Sequence, residues 1–223
     1  MLAGFVVAQR EKVMSWVAHE QDALVQTLRS ANPDAGTLCD GWDVRRLVAH
    51  LVQREQAPVA GLKDAVARKP PGQEPGLTDL TTRARSPYGY ARLIDRFVEG
   101  APRWSPMSWA AEKINFVEYV IHHEDVRRGG HDPLEPRDLP REEQDAVWEQ
   151  LGLFALSLRK SPVGVRLATP VGQTRVAKAG DGVTLTGEPV ELALWISGRR
   201  APARVAVTGS PDAVQQLQDW AKA

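Results

Sequence analysis

The chain has 223 residues, with 28 basic and 28 acidic side chains and a formal net charge of zero. Hydrophobic residues make up 43% and charged residues 25%, the balance of a globular protein long enough for a sizeable core. Even charge excludes a general electrostatic attraction for nucleic acid or anionic membrane, and the single cysteine, Cys39, excludes an internal disulfide framework or a cysteine-rich zinc site. Residues 5–30 are predicted to form a long helix, with Val13, Val17, Leu24 and Leu28 at helical spacing and polar residues between. The opening MLAGFVVAQREKVMSW lacks the basic start of a signal peptide. Pro33, Gly36 and Gly41 break the helix. A second begins after Asp43, a plausible N-cap, and carries the stripe Val44, Leu47, Val48 and Leu51. Lys69 to Gly76 (KPPGQEPG) reads as a loop. A third helix runs from Tyr90 to Glu99 and stops at Gly100 and Pro102. A fourth covers NFVEYVIHHEDVRRGG, Asn115 to Gly130, and ends at its glycines. Asp132 to Pro140 reads as a connector, and Arg141 to Leu158 as a fifth helix.

After Pro162 the texture changes. VGVRLATP, TRVAKAG and GVTLTG are short alternating runs punctuated by glycine and proline, which is strand grammar. PVELALWISG reads as a helix and ARVAVTG as another strand. PDAVQQLQDWAKA reads as a terminal helix capped by Ser210, with Pro211 at its first position. The expected fold class is mainly α: a helical bundle over residues 1–160, followed by a small α+β domain over residues 161–223. No apolar run approaches the ~18–20 residues of a membrane span. With one cysteine and no secretory signal, the expected location is cytoplasmic. Arg45–Arg46, Arg127–Arg128 and Arg199–Arg200 read as solvated faces or helix ends.

The fourth helix poses the chemical question. At about 100° per residue, Glu118, His122 and Asp125 fall within about 80° of Ile114, on the side of the apolar stripe. His123 falls about 180° away, and Glu124 lies to one side. An inward, unpaired carboxylate costs several kcal/mol, so each inward group needs a partner. Glu-x3-His places a carboxylate and an imidazole one turn apart, able to share one cation. A buried Glu–His hydrogen bond, or an ion pair to arginine, would serve equally. His50, beside the Leu47–Leu51 stripe, is the candidate third ligand, since ligands in helical bundles converge from facing helices. A satisfied core histidine is the competing reading. His19, among polar residues, and His131, in a Gly/Pro loop, are weaker candidates. Cys39 precedes a Gly-Trp turn and reads as packing. Trp42, Trp104 and Trp109 read as core or wall residues.

Together, LCDGWDVRRLVAHLVQRE (Leu38 to Glu55) and NFVEYVIHHEDVRRGG resemble the DinB-like metal-binding superfamily. Within it they are most similar to the N-terminal domain of mycothiol-dependent maleylpyruvate isomerases. Cys39, Gly41, Trp42, Val44, Arg45, His50 and Leu51 spell the first motif, and Glu118 and His122 the second. The resemblance covers roughly residues 5–160 and implies an up-and-down four-helix bundle. It implies a divalent metal held by His50, Glu118 and His122, zinc first, with nickel or iron(II) as alternatives. Asp125 would accept a hydrogen bond behind His122 and orient it; an ion pair within the bundle is the other reading. The C-terminal part is similar to the isomerase's smaller domain, whose substrate-binding arginine would correspond to Arg199 or Arg200.

The implied activity is a mycothiol-dependent transferase or isomerase, in which the metal activates a small thiol as nucleophile toward an electrophilic substrate. A metal-binding protein without turnover and a metal-dependent hydrolase are the alternatives. The implied partners are small molecules, with no nucleic acid and no membrane.

Overall fold

The computed structural model describes residues 2–56, 75–100, 108–130 and 133–222, and the side chains of residues 16–55, 76–100, 115–130 and 133–222. Contacts divide the chain into two compact units, Met1–Pro136 and Arg137–Ala223. The sequence boundary near residue 160, drawn from the change in texture, falls inside the second.

The first unit is helical. α1 spans Leu2–Ser30, α2 Val44–Gln56, α3 Pro75–Arg83, α4 Pro87–Glu99 and α5 Ser108–Gly129. Local chemistry sets several of these limits. The Asp43 carboxylate accepts from the Arg46 amide at 2.7 Å, the N-cap that starts α2. Ser86 caps α4 through the Gly89 amide at 3.0 Å, with Pro87 in the first turn and Gly100 at a left-handed φ of 66° closing the helix. α3 begins inside the stretch that reads as a loop, at Pro75. Proline lacks only a donor that the first turn leaves unused, and Leu77 anchors the helix by burial.

Leu24 and Leu28 of α1, Leu47, Val48 and Leu51 of α2, and Ile94 and Phe97 of α4 form one core, with Val17, Cys39 and Trp42 packed at its margin. α2 packs on α3 and α4, and α1 packs on α4 and α5. Among the described residues no helix is long and apolar enough to cross a membrane.

The second unit starts with α6, Arg141–Phe154, which tightens into a 3-10 turn over Ala155–Lys160. β1 (Gly164–Ala168), β2 (Thr174–Lys178) and β3 (Gly182–Thr186) follow, then α7 (Pro189–Ile196), β4 (Ala206–Gly209) and α8 (Pro211–Lys222). The sheet order is β2-β1-β3-β4, with β1 and β3 parallel and both outer pairs antiparallel. In that register Val165 lies beside Val183 and Leu167 beside Leu185, so all four alternate inward together. α6 packs on α7, and the Ala213 amide donates to Ser210 Oγ at 3.3 Å, capping α8. The fold is mainly α with a small C-terminal α+β unit.

Candidate metal centre

α2 and α5 bring together the three side chains expected to meet. His50, Glu118 and His122 each offer one donor atom, and these lie within 4.8 Å of one another. His122 Nε2 stands 3.4 Å from Glu118 Oε2. The His50 and His122 rings are 5.2 Å apart, edge to face. The Trp42 and His50 ring centroids are 5.2 Å apart at an interplanar angle of 66°, so Trp42 packs beside His50 at the margin of the core. The side chains of Trp104 and Trp109, and residue His131, lie outside the described set. His19 is exposed.

Behind His122, Asp125 Oδ2 faces the other ring nitrogen, Nδ1, at 2.8 Å. Asp125 is fully buried. The same oxygen accepts from Cys39 Sγ at 3.1 Å, so Cys39 packs and also hydrogen-bonds. Its loop is docked onto the end of α5. The Leu38 amide donates to the Asp125 carbonyl at 3.1 Å, and Gly41, at φ 71°, allows the turn in which the Trp42 amide returns to the Cys39 carbonyl.

Charge on the cluster is strongly organised. Burial alone would raise the Glu118 carboxyl, but His122, Arg54 and His50 hold it down at about 2. Burial works against the His122 cation, yet Asp125, Cys39 and Glu118 together lift its pKa well above the ordinary imidazole value. Nδ1 is bonded to Asp125, whereas the buried Nε2 lacks an aligned hydrogen-bond partner. A buried polar atom left this way is costly. Two imidazoles and a carboxylate with converging donor atoms are a fitting set for a divalent transition metal, and Nε2 is the atom such an ion would satisfy.

Sequence spacing missed a supporting network. Arg54, one turn beyond His50, reaches Glu118 Oε1 at 3.7 Å and Asn115 Oδ1 at 3.5 Å. Asn115 Nδ2 donates to Glu55 Oε1 at 2.7 Å. Tyr119 donates to the same oxygen; burial and the Glu55 charge keep its phenol protonated far above the usual range. The i+4 and i−3 offsets from His50 and Glu118 were the available signal.

The helical wheel also misplaced two side chains. His123, expected opposite the apolar stripe, and Glu124, expected to one side of it, are both buried; α1 covers the face of α5 that carries His123. His123 Nδ1 is 2.9 Å from Glu20 Oε1, and its Nε2 is 2.7 Å from Thr27 Oγ1. Glu124 is held by Arg127 and by Arg128, which is itself buried. Arg45, 13% exposed, bonds Asp34 at 2.6 Å and the Ala84 carbonyl at 3.1 Å. Arg45 and Arg128 are thus internal braces and not solvated faces. Glu20→Ala is expected to lower stability by about 1–3 kcal/mol, by removing the acceptor of a buried imidazole. Thermal melting checks this, and Glu20→Gln should lose less.

The first unit is helical and carries an imidazole–carboxylate cluster on α2 and α5. Residues 15–112 match the family model described as mycothiol maleylpyruvate isomerase N-terminal domain. The match includes His50 and stops short of Glu118 and His122. Two crystal structures of a mycothiol-dependent maleylpyruvate isomerase share the fold. A histidine-to-alanine variant aligns with TM-score 0.55 at 14% identity, over 89% of this chain and 92% of that chain. The other structure aligns with TM-score 0.53 at 16% identity, over the same shares. No curated protein matches the chain.

Proposed function

We propose that this protein is a divalent-metal-binding enzyme of the mycothiol-dependent transferase or isomerase kind, joining or rearranging an electrophilic small molecule with the help of a small thiol. The observation that carries the reading is the convergence of His50, Glu118 and His122 around a buried imidazole nitrogen without an aligned partner. The family match supplies the thiol class. These three residues would hold the ion, zinc first, with nickel or iron(II) as alternatives. When bound, the ion supplies Lewis acidity that favours the ionised form of a neighbouring thiol.

The chain's own residues prepare the site. Asp125 keeps a proton on His122 Nδ1, which leaves the Nε2 lone pair for a ligand role. Cys39 donates to Asp125 and holds it in line. Trp42 fixes the His50 ring from the side. Three protein ligands leave room for an exogenous one, the pattern of catalytic sites. A small-thiol cosubstrate fits a cytoplasmic location.

Metal analysis of the purified protein tests the reading. About one divalent ion per chain is expected, falling sharply in His50→Ala; unchanged stoichiometry in that variant rejects the ligand set. With cobalt in the site, mycothiol should shift the visible absorption where other thiols do not. Tight metal without a thiol response would leave a binding protein or a hydrolase.

A further inference from the structure

We infer that Cys39, His122 and Asp125 form a second cation site, which takes a soft, thiophilic divalent ion and shares only the His122 ring with the first set of ligands. His50 and Glu118 have no part in it, so its failure and that of the proposed function are separable.

Cys39 arrives on the loop before α2, while His122 and Asp125 are neighbours three residues apart on α5. Each of the three offers one donor atom, and these lie within 4.8 Å of one another. Asp125 Oδ2 is the meeting point, with Cys39 Sγ at 3.1 Å and His122 Nδ1 at 2.8 Å. A tetrahedral ion holds sulfur, nitrogen and oxygen donors about 3.3–3.5 Å apart, so these edges need to open by only roughly half an ångström. The sulfur is already held for the task. The Cys39 amide donates to Thr37 Oγ1 at 3.2 Å, its carbonyl accepts from the Trp42 amide at 3.0 Å, and the Leu38 amide is tied to α5 at the Asp125 carbonyl.

The donor chemistry selects the ion. A thiolate and a carboxylate carry two negative charges and the imidazole none, so a divalent cation makes the centre neutral, the form that burial tolerates. The side chain of Asp125 is 0% exposed and that of His122 6%, which leaves an ion there little water. Thiolate and imidazole in such a place favour Zn2+ or Cd2+ over Mg2+ and Ca2+, which demand oxygen ligands. Cys39 is half-buried and opens the site to solvent. His122 serves the two sets through different nitrogens, Nε2 toward Glu118 and Nδ1 toward Asp125. Nε2 has no aligned partner to give up, whereas an ion at Nδ1 must replace the protons directed at Oδ2. The His50–Glu118–His122 set therefore fills first, and the second site fills at higher metal concentration.

The test is a Cd2+ titration of the metal-free, full-length protein, read by the ultraviolet thiolate-to-cadmium charge-transfer band. Cys39 is the single cysteine, so the band reports this sulfur alone. It should develop in wild type and also in His50→Ala, which removes a ligand of the first set only. In Asp125→Asn its midpoint should move at least about tenfold to higher Cd2+, through loss of an anionic ligand. Excess Mg2+ should produce no competition. Absence of the band from wild type overturns the inference. So does its loss in His50→Ala, which would mean that Cys39 reaches an ion held by the first set. An unchanged midpoint in Asp125→Asn overturns it as well, because the thiol would then be binding cadmium by itself. Should Asp125→Asn not fold, His122→Gln decides by the same shift. The first set is read separately, by the total Cd2+ bound: if His50→Ala does not lower it, the ligand set of the proposed function fails while this site stands.

Discussion

Lowering the pH is expected to expel a bound divalent ion from the His50–Glu118–His122 cluster, one proton returning to His122 as the ion leaves. The sign follows from the metal-free site. Burial opposes charge on His122, but Asp125, Cys39 and Glu118 outweigh it and raise its pKa well above 6.5. The metal-free ring therefore keeps its second proton to higher pH than an ordinary imidazole does. Nε2 can take an ion only after losing its proton. Below that raised pKa, apparent affinity should climb about tenfold per pH unit. Calorimetry in buffers of different ionisation enthalpy should register a released proton, and His122→Ala should abolish both the ion and its release. Affinity independent of pH between 5 and 8 (about the range in which free histidine titrates) would contradict this account. The metal-free protein should show the opposite trend. A raised folded pKa contributes stability that is complete below the unfolded value and is lost as pH rises through the folded value. Acid thus favours the empty fold and alkali the filled one, and melting curves with and without metal should diverge with pH.

The second large effect is steric. A Cβ placed on Gly129 would lie 2.2 Å from the Thr37 Cα and carbonyl carbon and 2.5 Å from the Leu38 nitrogen. These are backbone atoms, so no side chain can swing aside. Gly129→Ala should push the 36–39 loop off the end of α5 and break the Leu38–Asp125 and Cys39–Asp125 bonds. A cost of about 2–3 kcal/mol is expected, visible as a melting decrease of about 5–10 °C. Cys39 should become markedly more reactive toward thiol reagents. Unaltered melting and reactivity would mean that the loop is not clamped there.

Much of this was legible in the chain. Asp43, Ser210 and Gly100 marked helix ends because capping is local chemistry, set by one side chain and a few amides. Glu118 and His122 were visible because one helical turn separates them. The imidazole of His50 required a second helix, and the motif around Trp42 supplied it; its role as a ligand remains the proposal tested above. α3 was hidden because Pro75 and Gly76 resemble a loop, and the burial of Leu77 that decides the matter is tertiary. His123 and Glu124 were misplaced for a related reason. A wheel assigns a helix one inward face, whereas α5 is covered on two, and no periodicity within a single segment reports a neighbour on its far side. The Tyr119–Glu55–Asn115–Arg54 chain joins two helices about sixty residues apart in sequence; spacing within each helix places Arg54 and Asn115 one turn from a candidate ligand but does not report the pairing across helices.

The bonds from His123 to Glu20 and Thr27 bear on its neighbour. Apolar packing between helices tolerates slip about their long axes, but two directional polar contacts do not. They pin the axial rotation of α5 against α1. His122 is the adjacent residue, so its bearing is set by the same pin, about 100° around the cylinder. Loosening the far side would swing the imidazole out of aim without touching any group that it meets.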